Sequence, residues 1–468
     1  MNDSPKPVQN LDPFRSEGDV NLSPRRRAWA AENISPATQR MLAEDARYFL
    51  HQSLSTPCLN ALGSCQGAWI KDVEGRRYLD FHGNNVHQVG FGHPRVIAAI
   101  KEQLDTLSFC TRRYTCEPAI ALAKKLSGIA PGDLNRVLFV PGGTSAVGVA
   151  LKLARIATGR FKFISMWDSF HGASLDAISV GGEALFRSGM GPLLSGCEHV
   201  PPPVHRHCPF RCGDACNLAC ADYIEYVLEK EGDVAAVIGE TVRSTPFIPP
   251  PDYWKRIRAA CDKHGALLIL DEIPIALGRT GRMFACEHYG IVPDMLVLGK
   301  GLGGGIFPLA ALIAREGLNL AAERALGHYT HEKNPVACAA GLATLQVIEE
   351  EKLPERARRL GNRALDRMRA MAERHRLIGE VRGLGLLMGM ELLRDKKARS
   401  RGSDEAEKVM YGALRRGLNF KITMGNLLTL TPALTISQTE LDQAFDILEG
   451  CISEVEAAVR PAPVRGRA

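Results

Sequence analysis

Two short apolar runs constrain this chain more than any other feature. The first, residues 266–270 (ALLIL), ends on two carboxylates, Asp271 and Glu272. The second, residues 295–298 (MLVL), ends on Gly299, Lys300 and a glycine-rich turn. A continuous apolar run bounded by turn signals reads as a strand buried on both faces. An acid and a lysine therefore sit at the ends of two buried strands, and in open α/β sheets that is where ligands bind.

The flanking sequence predicts the same architecture. Residues 137–155, VLFVPGGTSAVGVALKLAR, read as a strand, a glycine turn and a helix, with Val147, Leu151 and Ala154 at helical spacing. A glycine turn feeding a helix N-terminus offers backbone N–H groups to an anion. Neither of two common phosphate motifs, G-x-G-x-x-G and G-x-x-x-x-G-K-[ST], is present. Further strands are predicted at 163–166 and 235–238, and a crossover helix at 253–264. The β-α-β alternation from 137 to 300 predicts a mostly parallel sheet with crossover helices. Residues 67–81 alternate apolar and polar around Glu74-Gly75, a hairpin signal. The polar stretch at 82–87, HGNNVH, is either a plain turn or a loop facing the substrate.

The Asp271-Glu272 pair, with Lys300-Gly301-Leu302-Gly303-Gly304-Gly305 after it, resembles the class III aminotransferases, a family of pyridoxal-phosphate (PLP) enzymes. The resemblance runs from about 60 to 455. It implies that Lys300 forms the Schiff base with PLP and that Asp271 pairs with the pyridine nitrogen. An amine must condense with the aldehyde and later carry a proton. A carboxylate at the ring nitrogen keeps it protonated, so that the ring can draw in electrons. The resemblance further implies that Gly142, Gly143 and Thr144, in Gly142-Gly143-Thr144-Ser145-Ala146, cradle the phosphate. Phe170-His171-Gly172 fits the family's aromatic-His-Gly triplet, whose ring stacks on PLP. Glu240 matches a Glu-Pro-Val position, with Thr241 in place of the proline. Thr330, followed by Asn334-Pro335, fits a threonine that reaches across a homodimer interface to the partner's phosphate.

The implied fold is α/β, the type I PLP-dependent transferase fold. A large domain at 96–327 carries the sheet. A smaller α+β domain combines 35–95 with 328–458, the latter including an amphipathic helix at 353–377 and a strand at 380–391. Residues 1–34 are expected to be disordered or extended, ahead of a helix within 35–52, and 459–468 to form a tail.

Two departures bear on the reaction. Pro274 replaces a glutamine near the ring oxygen of PLP. Thr429 stands where many members carry an arginine that grips the substrate carboxylate bidentately. A transaminase holds a carboxylate in both half-reactions, whereas a lyase needs one amine and no keto acid. The overall pattern resembles the family's 1-hydroxy-2-aminoethylphosphonate ammonia-lyase branch. The expectation is elimination from a β-hydroxy amine, giving ammonia and phosphonoacetaldehyde, with Lys300 removing the α-proton. Arg112, Arg113 and Arg243 are candidates to hold the phosphonate. Transamination between an amine and a keto acid is the alternative, and a non-catalytic binding protein on the same fold is the alternative of another class.

Composition narrows the setting. A net charge of +6, partly in Arg25-Arg26-Arg27 and the C-terminal arginines, gives no reason to expect a nucleic-acid partner. No apolar run is long enough for a membrane span, and no signal-peptide pattern opens the chain. Thirteen scattered cysteines then suggest cytoplasmic thiols. Cys208, Cys212, Cys216 and Cys220 recur every four residues beside His205 and His207. They are expected to form a local cluster distant from the PLP chemistry, with no metal assigned. A zinc or iron–sulfur site is the other reading.

Overall fold

The protein is described here as a computed structural model covering residues 23–204, 208–212 and 216–458. Its centre is a seven-stranded sheet, in the order Leu134–Val140, Ala310–Arg315, Met295–Leu298, Leu267–Asp271, Val234–Glu240, Lys162–Met166 and Cys197–Val200. Ala310–Arg315 runs antiparallel to both its neighbours, and the other six strands are parallel to one another. The two apolar runs that open the analysis are adjacent central strands. Leu268, Ile269 and Leu270 are buried, as are all four residues of Met295–Leu298. Helices Gly143–Thr158 and Tyr253–His264 pack against the sheet.

Parallel pairing fixes the site. Glu240 lies in register with Asp271, and Asp271 with Val297, so both carboxylates and the Lys300 turn emerge at one edge of the sheet. The type I PLP-dependent transferase fold has this sheet at its core.

Two smaller sheets flank it. Leu62–Gln66, Trp69–Asp72 and Arg77–Asp80 form a meander that Leu418–Asn419 joins in parallel, tying the N-terminal and C-terminal segments together. The other orders Ile378–Leu384, Leu387–Asp395, Leu427–Leu430 and Lys421–Thr423, all antiparallel.

Two local expectations need correction. The run at 1–34 is not extended throughout: Ser23 accepts the Arg26 N–H at 3.0 Å and caps a helix at Pro24–Asn33. Pro24 at the first position is preset for the helical turn. Trp29 buries itself against Tyr411, their rings 6.3 Å apart, which holds that helix to the body. Residues 1–22 and 459–468 lie outside the described residues, as do His205 and His207. The single strand expected at 380–391 is two, because Gly385 turns the chain at φ +59°. A Cβ there would meet the Arg279 carbonyl oxygen at 2.6 Å, so only glycine fits the turn. Among the described residues no helix is long and apolar enough to cross a membrane.

Candidate active site

Lys300 opens a 3₁₀ turn, Lys300–Gly303, directly after the strand Met295–Leu298 and Gly299. Its backbone is left-handed, with φ +46°, an uncommon conformation for a residue with a side chain. The glycines around it are forced by close packing. A Cβ at Gly301 would overlap the buried Gln88 side chain, and one at Gly299 would press on Ile273. Burial is the main influence that holds the Lys300 ammonium below the usual lysine range. Lys421 adds to that effect, while Asp271 and Glu240 oppose it.

Asp271 and Glu272 face opposite ways, as neighbours at a strand end do. Asp271 lines a cavity of about 1110 Å³ that also contains Lys300. Its Oδ2 lies 2.8 Å from His171 Nδ1, and its Oδ1 accepts the Ile273 N–H at 3.0 Å. Glu272 turns into the protein and accepts from Thr241 Oγ1 at 2.9 Å, Ala285 N at 2.6 Å and Cys286 N at 2.7 Å. Thr241, which departs from the family's proline, thus supplies a hydroxyl that helps to fix this turn. Glu240 is pushed up to about 7, chiefly by burial, against the pull of Arg243. One of its oxygens accepts the Phe170 N–H at 3.3 Å. The Phe170 ring lies in the cavity against Phe186, with centroids 4.3 Å apart.

The Gly143–Thr158 helix points its N-terminus at the same cavity. Ala146 is the first residue of this helix whose N–H finds an intrahelical carbonyl, Gly142 O at 3.1 Å. The N–H groups of Gly143, Thr144 and Ser145 are the orphan donors of the first turn. A Cβ at Gly142 would meet nothing within 4 Å, whereas one at Gly143 would strike Ile273. The cradle is therefore open in front and backed by Ile273, room that suits a phosphate at a helix N-terminus. A flat ring between Phe170 and the Asp271 edge, with a lysine alongside, completes what PLP requires. These residues fit the cofactor.

Other sequence candidates fall elsewhere. Thr330 is exposed and does not line the cavity of its own chain. Neither do Arg112 and Arg113; Arg112 contacts His328 at 2.8 Å. Arg243 does line it, but faces Glu183 at 3.4 Å and Glu240 at 3.6 Å. Pro209 lines the cavity wall, although none of the four cysteines does, because the chain from Pro201 to Val204 runs along the same wall. Cys208 and Cys212 are 3.7 Å apart at sulfur. Among the described residues no group of three or more His, Cys, Asp or Glu side chains is arranged to hold a metal. The sequence reading missed Lys421, Thr423 and Arg382, which also line the cavity, as do His82, Asn84 and Asn85 of the polar 82–87 stretch. Lys421 and Thr423 sit on a three-residue strand too short to show a period, and only three-dimensional pairing brings them to the site.

Fold and site together define a PLP-dependent enzyme of fold type I. The chain belongs to the class III aminotransferase family: the "Aminotransferase class-III" family model matches residues 52–452. It is 50% identical over 466 residues to an (R)-1-hydroxy-2-aminoethylphosphonate ammonia-lyase of Vibrio splendidus, spanning 96% of this chain and 97% of that protein. It is 38% identical over 401 residues to a leucine/methionine racemase of Thermococcus litoralis, spanning 84% and 90%. Among solved structures, a PLP-bound amine transaminase from an uncultivated Pseudomonas species superposes with a TM-score of 0.80 at 32% identity, over 87% of this chain and 99% of that one.

Proposed function

We propose that the protein is an ammonia-lyase that eliminates from (R)-1-hydroxy-2-aminoethylphosphonate or a close β-hydroxy amine. One observation carries the reading. Thr429, at the position of the family's carboxylate-gripping arginine, is buried at the cavity wall and bonded to Thr423, Oγ1 to Oγ1 at 2.8 Å. Its hydroxyl is committed to a neighbour, so that position offers no bidentate grip on a carboxylate. The Vibrio relative's reaction agrees with that reading.

PLP, when bound, draws electron density away from the amine-bearing carbon. Gly142, Gly143 and Thr144 are assigned its phosphate, Phe170 its ring face, and Asp271 its ring nitrogen. His171 braces Asp271 from behind, and Glu240 tethers the Phe170 backbone. Lys300 Nζ takes the proton from the amine-bearing carbon, and burial, which lowers its basicity, favours the free amine that this step needs. The electron pair left on that carbon forms a C=C bond as the β-hydroxyl leaves with a proton as water. The released enamine takes water back, giving phosphonoacetaldehyde and ammonia. No oxidant or keto acid enters the balance.

The deciding assay supplies (R)-1-hydroxy-2-aminoethylphosphonate without any keto acid and measures ammonia. Release is expected. Turnover that requires pyruvate or 2-oxoglutarate, with stoichiometric amino-acid formation, would identify a transaminase instead.

We also infer a homodimer in which Thr330 completes the partner's phosphate site. Support comes from the exposed apolar Leu104, Leu107, Phe109 and Tyr114 on the segment that packs on the Thr330 loop, where Phe109 meets His331 at 5.5 Å. Sedimentation at assay concentration checks this: full activity from a monomer overturns it. The intracellular setting suggested by the cysteines is the cytoplasm.

A further inference from the structure

Building on the lyase reading, we propose that Lys421 is the residue that binds the substrate's phosphonate dianion, in place of the absent arginine. The register of the C-terminal sheet carries the argument. Lys421 is paired across strands with Thr429, and Thr423 with Leu427. Directly opposed residues of an antiparallel pair share a face. Lys421 and Thr429 therefore present side chains to the same side, and both line the cavity with Thr423. The cation that other members carry at the Thr429 position is here one strand over, at the next strand's matching position.

Charge accounting singles this lysine out. Among the described residues, five lysines and arginines line the cavity: Lys300, Arg243, Arg382, Arg401 and Lys421. Lys300 is assigned to the cofactor and the proton. Arg243 faces Glu183 and Glu240. Arg382 faces Glu380 at 3.0 Å and Glu391 at 3.8 Å, and stacks over Phe247. Arg401 donates to the Met424 carbonyl at 3.1 Å. Among the described residues Lys421 has no carboxylate within ion-pair distance and no hydrogen-bond partner, although it is half-buried. A half-buried cation with no counter-charge is costly unless a ligand provides one. Its charge also reaches the chemistry, since it acts on both Lys300 and His82.

A compact ammonium meets a tetrahedral dianion as a point charge, with less directional demand than a guanidinium fork. Thr423, two residues along the same strand, lies on the same face, its hydroxyl bonded to that of Thr429. The same chemistry would accept a phosphate monoester, so the test separates the two.

Titrate PLP-loaded enzyme calorimetrically with 2-hydroxyethylphosphonate, which lacks the amine, and with ethyl phosphate, and compare Lys421→Met and Lys421→Arg with the parent. Lys421→Met is expected to weaken 2-hydroxyethylphosphonate at least tenfold and to leave PLP occupancy and melting temperature unchanged. Lys421→Arg is expected to recover part of the loss. Preference for 2-hydroxyethylphosphonate over ethyl phosphate in the parent supports a phosphonate substrate, and the reverse preference overturns that half of the proposal. Unchanged phosphonate affinity in a folded, PLP-loaded Lys421→Met protein overturns the assignment. Loss of PLP instead would place Lys421 in the cofactor cradle and overturn it too. These readouts are independent of turnover: if the keto-acid-free assay fails while Lys421→Met still loses the phosphonate, the lyase reading falls and the anion site stands.

Discussion

The cavity has two ends built on different principles. At the end proposed for the cofactor, the parallel sheet delivers its carboxylates with partners already in place: Asp271 on His171, Glu240 on the Phe170 backbone, Glu272 on the Ala285–Cys286 turn. At the substrate end, short antiparallel strands place Thr429 and Lys421 at matching positions on neighbouring strands. The contrast teaches where a fold tolerates a change of reaction. Altering the first end breaks several buried polar partnerships at once, whereas the second rests on one buried pair, Thr423–Thr429, with Lys421 beside it.

That contrast can be broken from either side. Lys300→Ala should have the largest effect, lowering kcat by at least about a thousandfold with little change in melting temperature. A mild loss would remove Lys300 from the proton transfer. Asp271→Ala should cost about 10²–10³-fold in rate. It should also destabilise the fold by about 1–3 kcal/mol, because His171 Nε2 already has no partner and Nδ1 would lose its own. Denaturant melts of the PLP-free protein check the second number, and an unchanged midpoint contradicts the paired-end description. At the other end, the double exchange Lys421→Thr with Thr429→Arg should cost about 1–3 kcal/mol, the loss of the buried Thr423–Thr429 hydrogen bond. It should also shift preference from 2-hydroxyethylphosphonate toward 3-hydroxypropionate by about ten- to a hundredfold, measured by inhibition. Retained phosphonate preference would show that the charge on that face does not choose the ligand. The smallest effect is expected from Glu240→Gln. Glu240 titrates at about 7. Above that pH its carboxylate helps Lys300 keep a proton, and below it that help is lost. The variant should therefore lose an inflection near pH 7 in the absorbance of the holoenzyme, and an unaltered titration curve would exclude Glu240 as its source.

The division also explains what could be read in advance. The cofactor end was legible because its residues follow buried strands, where apolar runs and terminal glycines mark Asp271, Lys300 and the Gly142–Thr144 turn in one dimension. Lys421 and Arg382 carry no such mark. Their strands are short or interrupted, and their meaning comes from register with residues elsewhere in the chain. The turn at Gly385 split an expected strand for a related reason: the backbone approach of Arg279 that demands glycine there is a tertiary contact. The Pro24–Asn33 helix was hidden by a polar, proline-dotted context, and a single buried Trp29 was enough to anchor it.

The unpaired ammonium of Lys421 has one more consequence. Its field makes Lys300 a weaker base. A dianion seated on Lys421 cancels that field, and the proton affinity of Lys300 rises when the carbon to be deprotonated arrives. The ligand would then tune the group that attacks it: amines of equal shape but without the dianion would meet a less basic lysine, and selectivity would register in the chemical step as well as in binding.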